Sequence, residues 1–289
     1  MAEKYTPEKL VSGVINLVTL PEICRKINLV MADPDHSRQD IEHLVSQDPA
    51  LTMRILRIVN SSYYALPRKI DRVDQAISII GEDDLSNLIL ATSATTVLKR
   101  LGNPLIDFQE FWRHSVECGL MARAIAKQSH HADCETLFTS GLLHDVGKIV
   151  LYYQLPELAR AVLDESKMTG CRIEEAEQRL LSFDHAQVGG ALARAWKLPE
   201  ILCRSVAFHH QPNQAEAFAI EAGMVHIANV LSNRHGSLSV DSSKAEIEDL
   251  GFEPQAFELT GLSMNKLLET VEAVQEQSKE VQTMMCSGS

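Results

Sequence analysis

Aromatic side chains are scarce: Phe, Trp and Tyr make up 5% of the 289 residues. Long β-branched runs are missing as well, so the chain leans towards helix. Basic charge is in deficit, with 27 Lys+Arg against 39 Asp+Glu, a net charge of −12. A nonspecific nucleic-acid binder gains its affinity by neutralising phosphates and needs the opposite sign, so no direct nucleic-acid partner is expected. The deficit is uneven, because Ser237 to Ser289 hold 3 basic and 10 acidic residues, −7 of the −12. The six cysteines, Cys24, Cys118, Cys134, Cys171, Cys203 and Cys286, form no CxxC pair. A disulfide framework is not expected in a chain of this length. No uncharged apolar run reaches the ~18 residues that a membrane span needs. The opening MAEKYTPEKL lacks the apolar stretch of a secretory signal. These absences point to a reduced, cytoplasmic protein with no membrane partner.

What is present is a helical pattern. Apolar residues make up 45% and charged ones 23%, ordinary values for a globular chain able to bury about 75% of its unfolded surface. Thr6-Pro7 and Asp48-Pro49 each place a capping residue before a proline, and Ser37 to Asp40 resembles a capping box. Leu51, Ile55, Ile58 and Val59 fall on one helical face. Gly81 reads as a helix stop, and Gly102-Asn103-Pro104 is the best internal boundary. Beyond it, helices are expected over 107–128, 134–153, 156–168, 173–181, 184–197, 199–210 and 215–233. Only IDRVDQ (70–75) and SLSV (237–240) hint at strands. The polar stretch 234–243 reads as a linker. From Met264, an amphipathic helix carries Leu267, Val271 and Val274 opposite Glu269, Glu272, Glu276 and Glu280. Docking of that helix on its own chain is favoured over dimerisation. The expected fold class is all-α: a multi-helix core over 105–236, an added N-terminal helical lobe over 1–104, and an acidic linker with a C-terminal helical tail over 237–289.

The chemistry-bearing residues sit in apolar surroundings. In GLLHDVGKIVL (141–151), His144 and Asp145 lie in what reads as a buried helix, and Lys148 is within one turn of both. A buried charge is costly unless it is paired or binds metal. His114 lies one turn after Glu110, His185 opens a helix whose Gly189-Gly190 permits close approach, and His209-His210 close another. Imidazole nitrogen and carboxylate oxygen suit Fe, Mn or Zn, and a helical core can gather such ligands from separate elements. Each feature has a plainer explanation. His144-Asp145 could be a satisfied polar plug, His209-His210 a favourable helix C-terminus, and Lys148 a snorkelling surface lysine.

Together, His114, His144-Asp145 with Gly147-Lys148, His185 and His209-His210 follow the order of the HD phosphohydrolase superfamily. The stretches DPALT…ILRIVNSSYY, DQAISIIG, GLLHDVGK and HAQVGGALARAWKLPE resemble one branch, the HDOD domain, the HD-related output domain of bacterial signalling. The resemblance spans residues ~10–233. It implies an HD-like core with His114, His144, Asp145, His185, His209 and His210 as ligands for one or two divalent ions, Fe, Mn or Zn, or for none. Asp145 and Lys148 would be catalytic only if the protein is active. Glu110 falls where HD-GYP phosphodiesterases have a carboxylate, but the GYP segment is missing. The late metal-binding Asp of the superfamily is Asn229 here, a neutral group that weakens a divalent site.

The resemblance therefore implies a regulatory output module acting through protein partners, its HD site degenerate or metal-holding. The alternative is a metal-dependent phosphohydrolase acting on a nucleotide or cyclic dinucleotide. HDOD modules accompany receiver, kinase or cyclic-dinucleotide signalling domains. With no room here for an input domain, the signal is expected in trans, at a surface presented by the N-terminal lobe.

Overall fold

The computed structural model describes residues 5–61, 64, 66–131, 133–233 and 252–261, with residues 267, 270, 271, 274, 277 and 278 further on. All regular structure among the described residues is helical, with no strand. The N-terminal part comprises α1 (Pro7–Val14), α2 (Glu22–Met31), α3 (Arg38–Ser46), α4 (Pro49–Val59), α5 (Val73–Ile80) and α6 (Glu82–Leu98). Their starts follow the capping chemistry of the sequence. Thr6 accepts from the Lys9 N–H, and Asp48 from that of Leu51 at 3.0 Å. Asp40 closes the box at Ser37. Leu51, Ile55, Ile58 and Val59 are the buried face of α4. Gly81, at φ +90°, ends α5 and starts α6 in a conformation that only glycine adopts without strain. The IDRVDQ stretch is not a strand: α5 begins at its Val73, with Ala76 and Ile77 buried at helical spacing.

The central part comprises α7 (Phe108–Gln128), α8 (Cys134–Leu143), α9 (Val146–Gln154), α10 (Pro156–Thr169), α11 (Ile173–Leu181), α12 (His185–Ala195), α13 (Glu200–Ala207), a 3₁₀ stretch (Pro212–Phe218) and α14 (Ala219–Ser232). Two expected helices are corrected. The one expected over 134–153 is two helices, broken at His144-Asp145, where Asp145 adopts φ −99°, ψ 3°. In one continuous helix neighbouring side chains diverge by about 100°; the break lets both face the same centre. The one expected over 215–233 starts only at Ala219, because Glu216, at φ 57°, ψ −116°, kinks the chain.

One continuous apolar core runs from Leu10 to Val274. Within it α1 packs on α9 and α12, and α6 packs on α8. Buried Trp196 donates its Nε1–H to the Val18 carbonyl at 2.9 Å, tying the end of α12 to the α1–α2 connection. The C-terminal segment returns to the core: α15 (Pro254–Thr260) packs on α14. Leu267, Val271 and Val274 are helical and buried. Thr270 pairs with Gln128 of α7, and Ser278 donates to Glu117 of α7 at 3.3 Å. The tail thus docks on its own chain. The 234–243 linker with its SLSV stretch, Cys286, and the acidic residues Glu269, Glu272, Glu276 and Glu280 lie outside the described residues. The described cysteines are all free, and no described helix is long and apolar enough to cross a membrane.

Candidate metal centre

Four elements converge on one point. The helix α7 brings His114, the α8–α9 break brings His144 and Asp145, the first residue of α12 is His185, and His209-His210 follow α13. Asp184 caps α12 by accepting from the Gln187 N–H at 3.0 Å, which fixes where His185 leaves the helix. Glycines allow the convergence. A Cβ on Gly147 would lie 1.9 Å from the His185 carbonyl oxygen, and one on Gly190 would lie 2.5 Å from the Ala207 Cβ. Gly189-Gly190 act as their pairing suggested; the tightest crossing is at Gly147.

The ligand atoms form two triads, His114–His144–Asp145 and His185–His209–His210, each with its atoms within 4.8 Å of one another. Asp145 faces both. Its Oδ2 lies 3.4 Å from His144 Nε2 and 3.7 Å from His114 Nε2. Its Oδ1 lies 3.0 Å from His185 Nε2 and 3.9 Å from His209 Nε2. Within the triads, His114 and His144 place their Nε2 atoms 3.2 Å apart, and His185 and His210 place theirs 2.9 Å apart.

Three of the imidazoles are oriented from behind. His144 Nδ1 donates to the Gly141 carbonyl at 2.6 Å, His209 Nδ1 to the Val206 carbonyl at 2.8 Å, and His185 Nδ1 to Glu177 Oε2 at 2.6 Å. Carbonyls and carboxylates only accept, so each Nδ1 carries a proton, and Nε2 is the nitrogen of each ring that would turn a lone pair to a metal once it is deprotonated. This is the arrangement that outer partners impose on metal-binding histidines. Two buried atoms there, His209 Nε2 and Asp145 Oδ1, have no hydrogen-bond partner, a costly state that a cation relieves. The donor set of imidazole and carboxylate fits Fe, Mn or Zn.

Protonation follows the surroundings. Burial, then the neighbouring His144, lowers His114 to about 3. Burial also holds His209 and His210 well below the usual imidazole range. At His185 burial opposes the charge but Glu177 outweighs it, giving about 9. His144 is likewise raised, burial being outweighed by the Asp145 carboxylate. Asp145 stays ionised against its burial because His144 and Lys148 flank it.

The remaining sequence-derived candidates take different places. Lys148 Nζ donates to Asp145 Oδ2 at 2.6 Å, so it is part of the centre rather than a solvent-facing lysine. Glu110 is 62% exposed and pairs with Arg113. Asn229 is buried on α14, its amide oxygen accepting from Asn233 Nδ2 at 3.1 Å. Sequence reading missed Glu177, which is fully buried and also accepts the His185 backbone N–H at 2.8 Å. It missed Glu174 too, whose Oε1 lies 3.6 Å from His210 Nδ1. A signal for Glu177 existed: a carboxylate on the α11 face that also buries Ala176 and Leu181.

A family model, the HDOD domain, matches residues 17–212. Over 213 residues the chain is 27% identical to an uncharacterised protein of Treponema pallidum (strain Nichols), covering 73% of this chain and 41% of that protein. The chain thus spans less than half the length of this curated relative. A provisionally named phosphohydrolase of Shewanella amazonensis SB2B has a similar structure, with a TM-score of 0.76 at 24% identity over 96% of this chain and 98% of its own. So has an HDOD domain protein of unknown function from Geobacter sulfurreducens, with a TM-score of 0.74 at 24% identity over 98% of each chain. At these identities the structural likeness is one of fold.

Proposed function

The chain belongs to the HDOD family, and from that premise we propose that it is a signalling output module that holds a divalent metal in a degenerate HD centre and acts through protein partners. The observation that carries this reading is how closed the centre is. The side chains of His144, His185 and His209 are 0% exposed and that of Asp145 is 3% exposed, and only His114, His210 and Lys148 reach the rim. A closed set of nitrogens suits retention of an ion better than turnover of a bulky phosphoester. Charge supports the same reading, since Asp145 is the one carboxylate in the two triads. The family resemblance would put a second carboxylate at position 229, but Asn229 is neutral and its amide oxygen accepts from Asn233.

Fe, Mn or Zn bound there would supply Lewis acidity and a more acidic water. The chain's own groups hold and orient. Glu177 and two backbone carbonyls fix three rings, Asp145 spans both triads, and Lys148 occupies its Oδ2 edge. Partners would be signalling proteins, such as receiver, kinase or cyclic-dinucleotide domains, supplied in trans. Leu29 on α2 and Met53 on α4 are exposed apolar side chains, 60% and 62% accessible.

A second reading, a metal-dependent phosphohydrolase with Lys148 and Asp145 as catalytic groups, is favoured by one observation: Asp145 faces two triads, the pattern of a centre for two ions. Elemental analysis of protein purified without chelators, followed by hydrolysis assays with bis(p-nitrophenyl) phosphate and a cyclic dinucleotide, separates the readings. The expected outcome is bound Fe, Mn or Zn that is lost in His144→Ala, with no turnover. Metal-dependent hydrolysis abolished in His144→Ala would select the second reading. Hydrolysis that appears only in Asn229→Asp would identify the missing carboxylate as the reason for silence. Failure to take up any of these metals on reconstitution would remove the metal from the proposal.

A further inference from the structure

His226 is fully buried on α14, outside both triads, and its two ring nitrogens make two informative bonds. Its Nε2 lies 2.9 Å from the backbone nitrogen of Glu253. That N–H can only donate, so Nε2 is the acceptor and the ring proton is on Nδ1. Nδ1 in turn donates to the carbonyl oxygen of His209 at 2.8 Å. That carbonyl belongs to the peptide joining His209 to His210, two adjacent members of one triad. A single imidazole therefore links the C-terminal segment to the peptide plane that aims two candidate ligands.

Glu253 also reaches the same ligands through its side chain. Its carboxylate lies 3.7 Å from Arg172, which pairs with Glu174 at 3.1 Å, and Glu174 lies 3.6 Å from His210 Nδ1. The two routes differ in strength. Arg172 and Glu253 are 47% and 39% exposed, and pairs of that kind contribute little. The His226 route is more buried, since His226 and the His209 carbonyl are buried and the Glu253 N–H is part-buried, and breaking it costs two backbone groups their partner. The buried route decides.

We propose that His226 is a positioning residue through which docking of the C-terminal segment, from Phe252 to Thr260, sets how firmly the His185–His209–His210 triad holds its metal. This deepens the metal-holding reading above and rests on it. The segment lies beyond the 17–212 region of the family match. The family motif thus supplies the ligands, and a separate part of the chain orients them. A partner that lifts α15 from α14 would loosen the metal without touching a ligand.

Glu253 offers a selective test, because its φ of −63° is the angle that proline imposes. Glu253→Pro deletes the N–H that His226 accepts while keeping the φ that residue 253 already has. Glu253→Ala keeps that N–H and deletes only the exposed carboxylate. His226→Leu removes both buried bonds. Zn²⁺ affinity is measured by chelator competition, and ligand geometry by the d–d absorption of the Co²⁺-loaded full chain. Thermal unfolding of the metal-free proteins confirms that each variant folds.

Glu253→Pro and His226→Leu are expected to weaken Zn²⁺ binding 10–100-fold, the range for outer partners of metal ligands. Both are expected to alter the Co²⁺ spectrum, and Glu253→Ala to match the wild type in both readouts. Folded Glu253→Pro and His226→Leu proteins with wild-type affinity and spectrum would overturn the coupling while leaving the centre in place. A wild-type protein that binds neither Zn²⁺ nor Co²⁺ would overturn both. Equal weakening by Glu253→Ala and Glu253→Pro would assign the effect to the side-chain route and overturn the role of His226.

Discussion

Asp145 and Glu177 share the work of holding His185, one in front of the ring and one behind it. Glu177 accepts both the ring Nδ1–H and the backbone N–H of His185. Replacing it by glutamine keeps an acceptor of nearly the same shape and removes the charge. Glu177→Gln is therefore expected to fold normally and to bind Zn²⁺ 10–100-fold more weakly, as measured by chelator competition. At this scale the sequence was informative about which residues gather at the centre. Each of the two triads consists of residues whose type, order and apolar setting were legible. Their outer partners were not, since Glu177 and His226 contact the centre only because α11 and α14 fold over it. Glu110 shows the converse: its spacing to His114 was suggestive, yet Arg113, one turn away, engages it.

Close crossing of α9 and α12 brings Asp145 beside His185. The contact at Gly147 is with backbone, the His185 carbonyl and the Gly189 nitrogen at 1.9 and 2.5 Å from an added Cβ, and backbone cannot step aside as a flexible side chain can. Gly147→Ala is expected to destabilise the protein by about 1–3 kcal/mol through overpacking and to disturb the centre. Gly102→Ala, where an added Cβ meets nothing within 4 Å, should leave stability nearly unchanged. Thermal denaturation of the two variants checks this. Helix existence was legible because apolar residues recur at helical spacing from α1 to α14. The interruption at His144-Asp145 was hidden because Leu142, Leu143, Val146 and Ile149 sustain the apolar pattern through it, all buried. The kink at Glu216, an exposed residue at φ 57°, has no counterpart in the local sequence pattern.

Across the whole molecule, the N-terminal helices meet the core where α6 packs on α8. Asp84, in the first turn of α6, sits there among Arg123 and Lys127 of α7 and Glu135 of α8. Burial, then repulsion from Glu135, raises its carboxyl from 3.8 to about 7. A folded-state value above the unfolded one means that the stability linked to its proton is present below about pH 4 and is lost as pH rises through 7. Asp84→Asn is expected to raise Tm increasingly between pH 4 and pH 8, and a constant difference across that range would refute the assignment. This junction was not legible, because it pairs residues far apart in the chain. The tail was: Leu267, Val271 and Val274 form the buried stripe their spacing indicated. Cutting that contact with Val271→Asp should expose the tail to limited proteolysis without removing His226.

The bond from Glu253 to His226 also has a place in time. Every ligand up to His210 is synthesised before Glu253, which follows 43 residues later. At translation rates of roughly 5–20 residues per second, the newborn chain spends about 2–9 s with its ligands made and their last tether unmade. If the centre holds a metal as proposed, a mismatched ion would leave more easily in that interval than afterwards. The order of synthesis would then give the maturing protein a chance to exchange one metal for another before the centre is fastened.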